Sequence, residues 1–234
     1  MSETQAPSSS FRAGLVMSIP VVLGYFPIAV AFGVAATRAG LSPAEAVMFS
    51  VVIFAGAAQF LALTLVTSGA PLVLTAVTLI VMNLRHVIYG PVLLEKAGRH
   101  AGARHAWAWA WCLTDEVFAT TLGALMRGRR FSERLVGGIG LGAYLAWIAG
   151  TAVGVLAGES AFEAWPVLDA ALGFMLPSLF LALLLSFLDK TQLLTVAAAA
   201  LATVLGTFLV SPSVGILAGM ILGAAIGALK RASQ

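Results

Sequence analysis

Residues 13–37 read AGLVMSIPVVLGYFPIAVAFGVAAT, a run without one charged side chain. A bilayer's hydrocarbon core is about 30 Å thick and a helix rises about 1.5 Å per residue, so about 20 apolar residues make one crossing. Met1 to Ser10 is polar and rich in Ser, and Arg12 precedes the run, which imitates a secretory signal with Ala29-Val30-Ala31 as its cleavage site. The run carries on past that site to Thr37, longer than a signal's apolar core, and is read as a first membrane span.

Seven further stretches follow the same rule, at 43–67, 71–94, 106–126, 135–157, 165–188, 191–210 and 213–229. Their separators carry turn residues and charge: Arg38-Ala39-Gly40-Leu41-Ser42-Pro43, Ser68-Gly69-Ala70-Pro71, Arg127 to Arg134, Asp189-Lys190 and Ser211-Pro212-Ser213. The 234 residues are 60% hydrophobic and 10% charged, with a mean hydropathy of +1.00. Soluble domains hold roughly 45–50% apolar and about 25% charged residues, so this chain cannot cover a globule with polar surface. The sequence therefore predicts an all-α, polytopic integral membrane helix bundle of seven or eight hydrophobic segments, with Pro/Gly-broken helices. It divides into a polar N-terminal tail (1–12), a single transmembrane domain (13–229) and a short C-terminal tail (230–234). Runs of this length exclude an outer-membrane barrel, and the separators leave no room for a soluble catalytic domain.

The net charge of +3 does not argue for a nucleic-acid partner, because basic residues beside spans record orientation in the bilayer. If all eight stretches cross with the N-terminus inside, Arg38, Lys96, Arg99 and Arg104 fall outside. If 106–126 is instead re-entrant or interfacial and the N-terminus is outside, only Arg12 is external, and the positive-inside rule prefers that arrangement. Both place the C-terminus in the cytoplasm. The 106–126 stretch is the ambiguous one, since Asp115 and Glu116 lie near its middle and Trp107, Trp109 and Trp111 open it. An echo between Gly24-Tyr25-Phe26-Pro27 and Gly173-Phe174-Met175-Leu176-Pro177 is the kind of interruption that exposes backbone amides and carbonyls in transporter helices.

Leaving a charge at the bilayer centre costs about 2.5–3.5 kcal/mol on insertion scales, so ionisable residues within spans are functional candidates. One group is Asn83-Leu84-Arg85-His86 with Tyr89, in which Arg85 and Tyr89 share a helix face. The other is Thr114-Asp115-Glu116, the only adjacent acidic pair in the chain. An Arg85 pair with Asp115 or Glu116 would place balanced charge inside the bundle, and His86 would titrate near neutral pH. The alternative is that Arg85 and His86 snorkel to the interface and the acids lie in an interfacial loop. Gln59 sits beside small residues and either lines a pathway or bonds a neighbouring helix, and Asp169 precedes the Pro177 break. Gly150, Gly154 and Gly158, and Gly215, Gly219, Gly223 and Gly227, form two ladders of spacing four, which predict close helix contact rather than substrate binding.

Cys112 is the lone cysteine, and His86, His100 and His105 lack any Cys or HExxH setting, so neither an internal disulfide nor a metal is expected. There is no GxxxxGK[ST] and no GxSxG, and no cofactor or enzymatic activity is expected.

The ordered segments Phe26-Pro27-Ile28-Ala29 with Phe32-Gly33, Ala39-Gly40-Leu41-Ser42, FAGAAQF at 54–60, Asn83-Leu84-Arg85-His86-Val87-Ile88-Tyr89 and Thr114-Asp115-Glu116 resemble the AzlC/BrnF family. That family forms the large subunit of bacterial branched-chain amino acid exporters. The resemblance implies secondary, proton-driven export of leucine, isoleucine, valine and often methionine across the bacterial inner membrane, with a small membrane subunit of the AzlD/BrnE type. The residues suggest a division of labour the resemblance does not assign: Asn83, Gln59 and backbone near Pro27 and Pro177 for the substrate, while Asp169 either reads its ammonium group or is an ordinary interfacial aspartate. Asp115, Glu116 and His86 would carry proton coupling, with Arg85 as charge partner. A permease subunit of an ATP-driven system and an intramembrane enzyme are the competing readings.

Overall fold

The computed structural model describes residues 9–98, 104–163 and 190–232, together with positions 167, 170, 171, 174, 178, 181, 184, 185 and 188. The described residues contain no strand, and the chain is a helical membrane protein. Its helices are α1 (Phe11–Met17), α2 (Ile19–Arg38), α3 (Pro43–Val52), α4 (Gly56–Thr67), α5 (Leu72–Asn83), α6 (His86–Ala97), α7 (Ala106–Ala110), α8 (Asp115–Met126), α9 (Glu133–Glu163), α10 (Leu193–Leu209) and α11 (Pro212–Ala232). Five described segments are long and apolar enough to cross a membrane: Ile19–Arg38, Leu72–Ala97, Glu133–Ala157, Lys190–Leu209 and Pro212–Lys230.

Helix boundaries follow from local chemistry. Ser42 begins α3 with a reciprocal capping box: its hydroxyl accepts from the Glu45 amide, and the Glu45 carboxylate accepts from the Ser42 amide at 2.7 Å, with Pro43 in the first turn. At the end of α2, Gly40 takes a φ of +87°, and Leu41 N–H donates to the Ala36 carbonyl, closing the helix.

The chain forms two compact units. The first comprises residues 1–59 and 84–175, and the 31-residue α9 is its spine. Helices α1, α2, α3, α7 and α8 pack on α9, and α6 packs on α8. The approach of α2 to α9 is set by glycine. A Cβ on Gly154 would run into the Val30 carbonyl, one on Gly33 into the Thr151 carbonyl, and one on Gly150 would lie 2.7 Å from the Ala29 Cβ. The surroundings of Gly158 are outside the described residues. Phe32, Leu135, Ile139 and Trp147 are buried in this unit.

The second unit comprises residues 60–83 and 176–234. In it α10 packs along α11, and α11 touches α5. The second ladder is on α11 and packs against α10: Gly215 faces Thr203 and Thr207, Gly219 faces Thr203, Gly223 faces Ala199 and Gly227 faces Thr195. Helix α5 buries Thr75 and Thr78 while Val73, Val77 and Ile80 are exposed, the inside-out pattern of a helix whose surroundings are hydrocarbon.

One break falls beside a proline: α1 and α2 part at Ser18, with Pro20 in the first turn of α2. Helix α2 runs unbroken through Pro27, although proline supplies no N–H for the carbonyl four residues back. A continuous face packed on α9 offsets the single lost hydrogen bond. Three further interruptions have no proline within them: Ile53-Phe54-Ala55, dividing the 43–67 stretch, Leu84-Arg85, dividing 71–94, and Trp111 to Thr114, dividing 106–126. Pro177, Asp169, Gly173, His100 and Arg99 lie outside the described residues, as does most of the stretch 165–188.

Candidate functional site

The acids of α8 and the buried polar side chains at the 53–55 break belong to the first unit. Because the 106–126 stretch is interrupted, Asp115 and Glu116 are the first two residues of α8 rather than mid-helix residues. The Thr114 side chain caps the helix by accepting from the Val117 amide, and the free N–H groups of a first turn favour neighbouring carboxylates. Adjacent positions on a helix point about 100° apart, so the two acids meet different partners.

Asp115 is paired with a cation. Its Oδ2 lies 2.8 Å from the Arg85 guanidinium, and the Tyr89 hydroxyl donates to Oδ1. Arg85 sits at the residue preceding α6, and Tyr89, one turn on, shares its face, as the spacing of four requires. Tyr89 stacks on Phe118 of α8 with ring centroids 4.4 Å apart, and His86 meets the Tyr89 ring edge-on at 5.2 Å. The Arg85 and Asp115 side chains keep 42% and 27% exposure, so the pair sits at a partly open edge of the helices that hold it.

Glu116 is held differently. The phenol of Tyr25 on α2 donates to Glu116 Oε2 and also lies 2.7 Å from Thr114 Oγ1. Among the described residues no cation pairs with Glu116. Tyr25 is buried, and its ring meets Trp147 at 5.2 Å and Phe54 at 6.2 Å, both edge to face.

Beneath Tyr25 is a ring of buried hydrogen bonds. Trp147 Nε1 donates to Gln59 Oε1 at 2.8 Å, Gln59 Nε2 donates to Ser50 Oγ at 2.6 Å, and Ser50 Oγ is 2.7 Å from Thr151 Oγ1. Thr151, one turn beyond Trp147, bonds back to the Trp147 carbonyl. Gln59, Ser50 and Thr151 are wholly buried, and the ring spans the Ile53-Phe54-Ala55 interruption between α3 and α4. At the same break the Tyr144 hydroxyl donates to the Val51 carbonyl at 2.8 Å. A broken helix in an apolar setting must have its polar groups satisfied locally, and these side chains do that.

The sequence reading thus placed Arg85, His86, Tyr89, Asp115 and Glu116 near one another, and the structure assembles them. Both side-chain amide ends of Gln59 are taken up by protein groups. Pro27 lies within α2, and Asn83 closes α5 in the second unit, where it donates to the Leu79 carbonyl at 2.9 Å. Among the described residues no three His, Cys, Asp or Glu side chains gather as a metal site. Tyr25, Trp147, Ser50 and Thr151 were missed. One signal was present: the chain has three tyrosines, each in an apolar stretch, and a hydroxyl there needs an acceptor. All three find one, Tyr25 and Tyr89 on the two acids and Tyr144 on Val51.

A family model described as AzlC protein matches residues 20–160, the segment that contains Tyr25, Gln59, Arg85, Asp115, Glu116 and Trp147. The inner membrane protein YgaZ of Escherichia coli strain K12 is 41% identical over 217 residues, covering 92% of this chain and 89% of that protein. An uncharacterized membrane protein of Archaeoglobus fulgidus is 40% identical over 221 residues, covering 92% and 93%. The branched-chain amino acid transport protein AzlC of Bacillus subtilis strain 168 is 28% identical over 152 residues, covering 64% and 59%. No solved structure matches the chain.

Proposed function

Since the chain belongs to the AzlC family, we propose that it exports branched-chain amino acids across the bacterial inner membrane by exchange for protons. The supporting name is that of the Bacillus subtilis relative, a branched-chain amino acid transport protein. In this reading the chain is a multi-pass large subunit with its C-terminus in the cytoplasm, working beside a small AzlD/BrnE-like membrane subunit. Leucine, isoleucine and valine, and methionine by its similar bulk, are the substrates.

The observation that carries the reading is the charge cluster at the start of α8. Arg85, Asp115 and Glu116 are three ionisable groups in a chain that is 10% charged, and they are drawn from stretches otherwise built of apolar residues. Maintaining such groups among spans is costly, and proton movement is a reason to keep them. Asp115, Glu116 and His86 are the proton-carrying candidates, and Arg85 balances their charge. A branched-chain amino acid needs an apolar seat for its side chain and a few polar groups for its zwitterion, which interrupted helices provide through their free backbone ends. In the first unit the interruption at 53–55, held open by Gln59, is the proposed substrate seat, and Pro27 contributes the carbonyl its ring leaves without a donor; Asn83, Asp169 and Pro177 are separate candidates for substrate contact.

The test is leucine counterflow in proteoliposomes containing this chain and its small neighbour, with and without an imposed proton gradient. Accumulation of leucine should follow the gradient in the wild type. In the Asp115→Asn/Glu116→Gln double variant, leucine should still exchange for leucine but ignore the gradient. Leucine movement that is indifferent to the gradient in the wild type rules out proton coupling, and no leucine exchange by folded protein rules out the substrate.

A further inference from the structure

We propose that Tyr25 is a positioning residue that makes Glu116, rather than Asp115, the acid that binds and releases the proton. The inference rests on the proton-coupled reading above and assigns the roles within it.

The two carboxylates are neighbours in sequence and unlike in surroundings. Asp115 has both oxygens engaged, one by the Arg85 guanidinium and one by the Tyr89 hydroxyl. A proton on Asp115 would leave Arg85 as an unbalanced cation. Glu116 is engaged by a neutral phenol and by no cation among the described residues. With Arg85, Asp115 and Glu116 all ionised, the cluster carries one net negative charge, and a proton on Glu116 cancels it. Environments that differ in this way separate two acids into a permanently charged one and an exchanging one.

Tyr25 is placed to control that exchange. The phenol has a single proton and two neighbours, Glu116 Oε2 and, at 2.7 Å, Thr114 Oγ1. It donates to Glu116 while that group is ionised and turns to Thr114 once Glu116 carries its own proton. Thr114 is the N-cap of α8, next to the Trp111 to Thr114 interruption, so the state of Glu116 is registered at the start of a helix. The phenol cannot drift, because its ring is wedged against Trp147, and Trp147 is anchored through Gln59 to Ser50. Among the described residues, the titratable and charged groups placed about Glu116 are Tyr25 on α2, Asp115 on its own helix, Arg85 just before α6, and His86 and Tyr89 on α6. Of the described charged side chains on α9, Glu133, in the first turn, is taken up by His105 and Trp109, and Arg134 follows it.

Infrared titration of the full chain in lipid reads the exchanging carboxyl directly. The wild type should show a protonated carboxyl band that Glu116→Gln removes and Asp115→Asn keeps. Tyr25→Phe takes away a donor to the ionised form, and the band's midpoint should rise by about one pH unit, a tenfold change in the equilibrium. The pH profile of leucine flux should move the same way, while Tyr89→Phe leaves the midpoint of the Glu116 band in place. An unchanged midpoint in Tyr25→Phe, or a band lost in Asp115→Asn and kept in Glu116→Gln, overturns the assignment. Should Tyr25→Phe not fold, ring-deuterated tyrosine in the wild type answers instead: a phenol C–O mode that shifts with the carboxyl band is expected, and a silent one overturns the proposal. Gradient-driven leucine flux with an unmoved midpoint defeats this inference alone. A moved midpoint without leucine flux supports it and defeats the exporter reading.

Discussion

Helices α2 and α9 in one unit and α10 and α11 in the other are both brought together by glycine, yet they enclose different things. Between α2 and α9, Gly33, Gly150 and Gly154 let backbone approach backbone, and beside that contact lies the buried ring of Gln59, Ser50, Thr151 and Trp147. Between α10 and α11, Gly206 and Gly215 approach so closely that a Cβ on Gly206 would lie 2.7 Å from the Gly215 Cα. The hydroxyl there turns inward on its own helix, Thr203 bonding the Ala199 carbonyl at 2.9 Å, and Leu201, Val204, Leu205 and Phe208 point outward. Close packing by small residues is common to membrane helices, and it does not mark a site. What distinguishes the first unit is polar chemistry enclosed behind the packing.

The largest effect should come from Gly154→Ala. The added methyl meets the Val30 carbonyl, and backbone cannot rotate aside as a side chain can. Overpacking of this kind costs about 1–3 kcal/mol, and the variant should show the upper end as a lower melting temperature and a loss of folded yield in detergent. If Gly154→Ala is as stable as the wild type, α2 and α9 are not held at this distance.

Gln59→Leu should come next. It keeps the volume but strands the buried Trp147 N–H and takes away the donor to Ser50, whose hydroxyl keeps only Thr151, at a cost of about 2 kcal/mol. The indole should report it as a changed tryptophan emission. A packing role alone would leave stability nearly unchanged, so a neutral Gln59→Leu would erase the distinction drawn between the two helix pairs.

Arg85→Ala should affect function more than folding. Its side chain is 42% exposed and its bond to Asp115 is partly screened, so the fold should survive. With Asp115 left uncompensated, gradient-driven leucine flux should fall about tenfold, the equivalent of about 1.4 kcal/mol. Adding Asp115→Asn removes the uncompensated charge and should leave insertion normal without restoring the gradient response. Equal flux in Arg85→Ala and wild type would make the pair an ordinary interfacial contact.

These differences explain what could be read before any coordinates. Composition and apolar run length define a membrane helix bundle, since the cost of exposing backbone in hydrocarbon admits little else. The charge cluster was legible because Arg85, Asp115 and Glu116 are rare residue types in such runs. The break at Ser18 has Pro20 beside it, but the other breaks were not legible. The prolines draw attention to Pro27, but the loss of one donor does not outweigh a packed face. The interruption at 53–55 depends on Gln59, Trp147, Ser50 and Thr151, which come from three helices and have no common spacing in sequence. Tyr25 shares that difficulty: its acceptor is 91 residues away.

The glycine ladder of α11 offers the finest test, because from Gly219 onward its three steps grow looser along the helix. A Cβ on Gly219 meets Thr203 and lies 2.8 Å from the Ala199 carbonyl, one on Gly223 lies 3.1 Å from the Ala199 Cβ, and one on Gly227 has only the Thr195 methyl at 3.9 Å. Gly219→Ala should therefore destabilise the pair by about 1 kcal/mol, and Gly223→Ala by less. Gly227→Ala meets ordinary van der Waals contact and gains the helix preference of alanine over glycine, roughly 0.5 kcal/mol in its favour. Melting curves of the three variants in one detergent should then rank in ladder order. Three equal losses would mean that α10 and α11 separate as a unit rather than splaying from the loose end, and the contrast with the rigid α2/α9 contact would have to be drawn from the polar ring alone.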